Sequence, residues 1–494
     1  ITESYNTGTV SGAEGNTEVG GVAGKITNAS TITDSHNEGT VHMDRVSYND
    51  VGGIVGVNES SGSVARVYNS GEVSIGVGSQ GNVGGVMGNN KGTGSITDSY
   101  NMGKVYSENG NASITIGGVA GLNASGSITK VYNTGEISSK NTSSFSKGGV
   151  VGKNVGGVIT NVYNTGSLTD NGVAGYYYST DGGVVGYNQG TITNAYNTGE
   201  ISSLGASSES NNYTGGVVGR NKKNTKITNV YNTGSVSGTY DVGGVIGQND
   251  GEATATLANA YNTGAVSSTG GTDKVGGVVG ENINNATITN ALWAKDLSYT
   301  PTSGVKPTQA VGNQADTGTV KGETLANMKK AATYDKWTDT SGKKIVASEG
   351  NKNTAWRIYE GNTTPLLTSF FKGIVTVTGL SNKSAAYSGT AQTADISGAV
   401  YSPTDIDHSH IYAGSNRNAG IYSAIYSDQQ GYDLVNTNTL TITPVTLTAT
   451  LTGKTGNTYA FTKDYDGTDS VTKNLVLGTT YTFGDQVISG DTVS

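Results

Sequence analysis

The sequence predicts an all-β chain whose larger part is a parallel β-solenoid, or β-helix, of about nine coils, followed by a mixed capping segment and small β-sandwich modules. Three observations carry this. The tetrapeptide YNTG or a close relative starts at Tyr5, His36, Tyr68, Tyr100, Tyr132, Tyr163, Tyr196, Tyr231 and Tyr261, at intervals of 30 to 35 residues. A glycine pair followed by an apolar residue keeps the same beat, from Gly20, Gly52, Gly84, Gly117, Gly148, Gly182, Gly215, Gly243 and Gly276. Proline is absent until Pro301, in a chain of 494 residues with 76 glycines and 5 prolines. A proline inside a coil would delete a donor from a ladder running the length of the solenoid.

Within one repeat, three short segments have strand character: SITKVYN (Ser127 to Asn133), GEIS (Gly135 to Ser138) and GGVVG (Gly148 to Gly152). Each is too short for a helix, and the serine, threonine, asparagine and glycine between them form turns. In-register positions then become columns. Ile96, Ile128, Ile159, Ile192, Ile227 and Ile288 form one aliphatic column, and Val73, Val105, Ile137, Ile201, Val236 and Val266 another, both expected to point inward. The residue after the tetrapeptide varies among Glu72, Lys104, Glu136, Glu200 and Ser235 and should face water. Asn69, Asn101, Asn133, Asn164, Asn197, Asn232 and Asn262 recur in register, as expected for a structural ladder of stacked amides. At about 4.8 Å per coil the rod would be roughly 45 Å long.

Composition narrows the function. Charged residues make up 14%, the net charge is -8 and the pI is about 5.1, so no basic field draws nucleic acid. No apolar stretch approaches the 18 or so residues of a membrane span. Cysteine is absent and histidine numbers only 4, which removes thiolate metal sites and leaves little for zinc or general-base chemistry. A long cysteine-free repeat suits export through an oxidising compartment. The opening ITESYNTG has no leader character, so the chain reads as an interior piece of a longer polypeptide.

The coupled segments GGVVGYN (Gly182 to Asn188) and ITNAYNTG (Ile192 to Gly199) resemble the GLUG repeats of bacterial surface and secreted proteins, over about three fifths of the chain. That resemblance implies export and display, as in adhesins of filamentous-haemagglutinin type and some cell-wall-anchored proteases. Departures lie at the ends, in SHNEG (Ser35 to Gly39) and ALWAK (Ala291 to Lys295). KDYDGTDSVTKNLVL (Lys463 to Leu477) resembles the YDG-type modules of the same adhesin class.

The expected organisation is a solenoid over 1–292, a capping segment over 293–373, a small β-sandwich over 374–444 and a partial YDG-type module over 445–494. In the cap, Glu323 to Ala332 reads as a short helix and Trp356 to Leu367 as a strand with a turn, and aromatic bulk would shield the open solenoid end.

Candidate chemistry is sparse. Asp405 with Asp407 and Asp464 with Asp466 read as turn residues, His408 and His410 as surface histidines, and sequons such as Asn111 to Ser113 and Asn212 to Thr214 as products of composition. No catalytic residue, metal ligand or cofactor site is expected. The tetrapeptide tyrosines read as corner packing rather than as a sugar-binding stripe. The loop between the second and third segments varies most in length, with 12 residues between Leu168 and Asp181 and 5 between Val236 and Val242. It carries Phe145, Tyr176, Tyr177, Tyr178, Tyr213 and Tyr240, which stacking would gather on one edge as candidate binding loops.

The function expected is that of a non-enzymatic adhesin or matrix protein at the bacterial cell surface, serving cell adhesion, aggregation or biofilm. Its partners would be a host or bacterial surface glycan or protein, or another copy of itself. A β-helical polysaccharide-processing enzyme and an accessory region of a secreted protease are the alternatives.

Overall fold

A repeat of about 32 residues cannot bury its apolar side chains alone, so its copies must stack. The computed structural model describes residues 1–12, 18–44, 48–77, 80–108, 113–140, 145–170, 178–203, 212–252, 254–270, 274–297, 304–338, 344, 354–452, 458–465 and 481–483, with backbone alone at 170 and from 446 onward. They form two compact units, Ile1–Leu325 and Ala326–Ser494.

The first unit is a parallel β-solenoid of about nine coils. Each coil has three faces. In the fifth, the long face carries Ser127–Asn133, the second face Ile137–Ser139 and the third Phe145–Gly148. Every strand pairs in register with its equivalents: Ile128 lies opposite Ile96 and Ile159, and Ile137 opposite Val105 and Leu168. The second and third faces are continuous nine-stranded parallel sheets.

The expected third segment is divided by the structure. Gly148 ends a third-face strand, and Val151 opens the next stretch of the long face, Val151–Asn164. The glycine pair is therefore a corner, and the third strand occupies residues read from the sequence as a variable loop. Sterics explain why. A Cβ on Gly118 would fall 2.1 Å from the carbonyl oxygen of Gly149 in the next coil and 2.4 Å from Cγ of Asn133.

That second contact links the two sequence anchors. Asn133 is fully buried; its Nδ2 donates to the carbonyl of Gly135 at 2.8 Å and to Oδ1 of Asn164 at 2.8 Å, while its own Oδ1 accepts from Asn101 at 2.7 Å. The same bonds run without a break from Asn6 through Asn37, Asn69 and onward to Asn262, at 2.7 to 2.8 Å. A second ladder, unforeseen as such, uses the asparagine of VGxN: Asn58, Asn90, Asn123, Asn154, Asn188, Asn221, Asn249 and Asn282, at 2.8 to 3.0 Å.

Between the ladders lie the apolar columns. Val73, Val105, Ile137, Ile201, Val236 and Val266 are buried, as are Ile96, Ile128, Ile159, Ile192 and Ile227. Ile288 is the exception. It is half-buried beside a cavity of about 570 Å³ that Val311 and Val320 also line, because the chain beyond the ninth coil covers it only in part.

The tetrapeptide tyrosines stack face to face, with centroids 4.7 to 5.4 Å apart and planes within 9° from Tyr5 to Tyr261, His36 included. Neighbours cover both faces of each interior ring, which leaves no face for a sugar. Two residues before each of these rings, and before Leu292 at the end of the series, the backbone turns through the left-handed region, at Glu3, Asp34, Arg66, Asp98, Lys130, Asn161, Asn194, Asn229, Asn259 and Asn290, with φ between 46° and 57°. After glycine, asparagine and aspartate tolerate that conformation best. Arg66 pairs with Asp34 at 2.6 Å, and the five asparagines form an outer amide chain at 2.9 to 3.2 Å.

Residues 293–297 and 304–325 continue the first unit. Trp293 takes the asparagine position opposite Asn262, where a Cβ on Gly277 would strike its ring, and Val320–Glu323 pairs in parallel with Thr287–Ala294. The indole thus ends the ladder.

The expected helix, which begins at the last residue of the first unit, is shorter than read, Leu325–Met328 with a 3-10 turn at Ala331–Tyr334. Tyr334, Trp337 and Trp356 pack edge to face. Trp356–Arg357 pairs antiparallel with Leu366–Leu367 across the expected turn. Small separate sheets follow, including Ile374–Thr378 between Val400–Ser402 and Asp433–Val435, and Val445–Thr452 between Thr458–Tyr465 and Tyr481–Phe483.

Replacing Asn133 by alanine takes a donor from the carbonyl of Gly135 and from Oδ1 of Asn164, and leaves Nδ2 of Asn101 with Gly103 alone, so at about 1–3 kcal/mol for each unmatched group a loss of roughly 2–6 kcal/mol is expected in denaturant titration. Thr134→Ala, at an exposed neighbour, should stay within about 0.5 kcal/mol. Val236→Pro removes both the ladder bond from its N–H to the carbonyl of Ala265, 2.8 Å, and an inward side chain. Thermal melting should place it well below Glu200→Pro, at an exposed position between strands, by about 3 kcal/mol or more.

Candidate functional site

Stacking fixes what points inward and leaves the outward positions free. Two outward columns meet across each glycine corner. One is the third-face column Asp50, Asn82, Thr115, Ser146, Thr180, Tyr213 and Asp241. The other is the variable position of VGxN: Val57, Asn89, Leu122, Lys153, Tyr187, Arg220, Gln248 and Glu281. The corner brings them into contact, as when Nδ2 of Asn89 donates to Asp50 at 3.1 Å. Burial holds the Asp50 carboxyl above the usual carboxylate range, opposed by its bonds from Asn82 and Asn89.

Along this corner runs a groove of about 420 Å³ lined by Tyr48, Asn82, Thr115, Phe145, Lys153, Tyr178 and Tyr187, among others. The ammonium of Lys153 stands 5.2 Å from the centre of the Tyr187 ring. Beside Tyr178, Arg220 lies over two rings, 5.6 Å from the centre of Tyr178 and 4.9 Å from that of Tyr213. Arg220 donates to the Tyr178 hydroxyl and, at 3.0 Å, to Asp250. The guanidinium is thereby fixed and holds Tyr178 at the groove. Burial raises the Tyr187 and Tyr213 phenols to about 12, so both keep their protons at any ordinary pH.

Of the aromatics singled out from the sequence, Phe145 and Tyr178 line the groove, and Tyr213 supports it through Arg220. Phe145 and Tyr213 are not loop residues. They sit in the third-face strands Phe145–Gly148 and Asn212–Gly215, and both are buried, because the third face extends into the stretch before the glycine pair. Tyr176 and Tyr177 lie outside the described residues. Tyr240 is half-buried and does not line the groove. Sequence reasoning missed Tyr48, Lys153, Tyr187 and Arg220. The last three occupy the x of VGxN, the position of that motif whose chemical character changes most from coil to coil, and that change was the available signal.

The other candidates have structural employment. Asp407 caps a 3-10 turn by accepting from the N–H of Ser409 at 2.9 Å, His410 contacts Asp428 at 3.0 Å, and His408 packs edge-on against Tyr401. Asn212 is buried and accepts from Ser179, so in the folded chain its amide is part of the packing. Asp464 lies on the strand Thr458–Tyr465, whereas Asp466 and Asn111 lie outside the described residues. Among the described residues no three histidine or carboxylate groups converge as metal ligands, and no helix is long and apolar enough to cross a membrane. No family model, curated protein or solved structure matches the chain.

Proposed function

We propose that this chain is a non-enzymatic, extracellular solenoid of the bacterial surface-adhesin or matrix type, and that its groove binds a polar surface, a glycan above all. The observation that carries the reading is the groove itself. It joins aromatic rings at Tyr48, Tyr178 and Tyr187 with the amide of Asn82, the hydroxyls of Thr115 and Ser146 and one ammonium, Lys153. Carbohydrate recognition needs apolar ring faces beside polar groups that replace water. Its described lining includes no carboxylate, whereas glycoside hydrolysis usually takes two, which favours binding over cleavage. The resemblance of the repeats to GLUG arrays supports surface display, with neighbouring cells or copies of the chain as further partners.

The test is a panel of immobilised neutral and acidic glycans probed with wild type and with Tyr178→Ser/Tyr187→Ser. At about 1 kcal/mol per ring, the double variant should lose roughly tenfold or more in affinity, with its melting curve little changed. Full binding by the folded double variant would move the function away from the groove. Release of new reducing ends from a bound polysaccharide would support the enzyme reading instead.

A further inference from the structure

Beside the asparagine ladders, the solenoid interior holds apolar columns, and one of them is interrupted by two opposite charges. On the third face the inward column reads Val19, Val51, Val83 and Ile116, then Lys147, Asp181 and Thr214, and returns to Val242 and Val275. Lys147 and Asp181 are strand partners in adjacent coils, and both side chains are 0% exposed. Nζ of Lys147 lies 3.6 Å from Oδ1 of Asp181, donates to Oγ of Ser139 at 3.1 Å, and stands 4.4 Å from the centre of the Phe145 ring. Oγ of Ser203, one coil further on, donates to Oδ2 of Asp181 at 2.5 Å.

Two charges buried in an apolar column carry a heavy desolvation penalty, and an apolar pair of similar volume often does as well or better. An amine and a carboxyl held at this separation by ladders above and below also have an effective concentration far above any attainable in solution, on the order of 10⁵ M or more for well-oriented groups. We propose that Lys147 and Asp181 condense to an intramolecular isopeptide bond joining the fifth coil to the sixth.

The step balances without a co-reactant. Proton transfer from the ammonium to the carboxylate gives a neutral amine and a neutral acid, a pair that a low-dielectric interior penalises far less than the ions. The nitrogen lone pair forms the Nζ–Cγ bond, one Cγ–O bond breaks, and that oxygen leaves as water with two protons that began on the amine. Ser203, bonded to Oδ2, and Ser139, bonded to Nζ, are positioning residues that hold the two groups. The product replaces two buried charges by one neutral amide and closes a loop in a chain that has no cysteine to do so.

The experiment is mass spectrometry of the complete 494-residue chain, freshly folded and after prolonged incubation, with tryptic mapping. The expected result is a protein one water lighter than its sequence, with a branched peptide containing both Lys147 and Asp181 and no cleavage after Lys147. Asp181 precedes Gly182, and a succinimide there would also remove one water. Mild alkaline hydroxylamine separates the two, since it opens the succinimide and leaves the amide intact. Lys147→Met/Asp181→Leu, which keeps the site filled and apolar, should fold and show the full sequence mass. A wild-type chain at full mass after incubation, a linear succinimide peptide, or a water loss mapped elsewhere would each overturn the proposal.

Discussion

The structure depends on the contact between an inward asparagine and a glycine that has no Cβ to obstruct it. Gly85 against Asn101, Gly118 against Asn133 and Gly149 against Asn164 are one contact repeated in successive coils. The asparagine ties its own corner to the Gly of YNTG and its own coil to the next, so a single side chain sets both the turn and the stacking register. A buried amide left unmatched is costly, whereas a fully matched ladder is not. This explains why both anchors recur with so little change, and why the ladder ends in a residue of another kind, Trp293, which fills the space where the next asparagine would stand.

With the inward positions fixed, variety is confined to outward columns, and those beside the glycine corner are the ones drawn together. Lys153, Tyr187 and Arg220 follow one another at equivalent positions, so the character of the corner changes coil by coil from ammonium to phenol to guanidinium. A binding surface on a solenoid is in this sense a short list of substitutions on a fixed grid. The inward polar interruption at Lys147 and Asp181 has the opposite standing: it breaks the apolar column where repetition alone would have kept a valine.

Much of the fold was legible in the sequence because stacking forces repetition, and repetition can be read without knowing the geometry. The aliphatic columns from Val73 to Val266 and the ladder from Asn69 to Asn262 are of this kind. The site was less legible, because its residues are those that do not repeat. Phe145 and Tyr213 were found by their aromatic character but assigned to loops, since a strand whose sequence runs from FSKG to NYTG has no alternation to betray it. Lys153, Tyr187 and Arg220 escape notice because each stands inside the repeated glycine-rich segment, whose recurrence from coil to coil reads as structure alone. Ile288 kept the column's identity but not its burial, because the coil that would cover it is incomplete.

Side-chain hydrogen exchange of the ladder amides tests the central claim most directly. If the inward asparagines carry the stacking, the Nδ2 protons of Asn133 and Asn154 should exchange only through global unfolding, on the same timescale as the backbone N–H of Ile137, while those of the exposed Asn28 exchange at the rate of a free amide. Rapid exchange at Asn133 and Asn154 in a protein whose backbone remains protected would show that the coils are held by their strands alone, and the asparagine–glycine contact would lose its place as the constraint on which the solenoid is built.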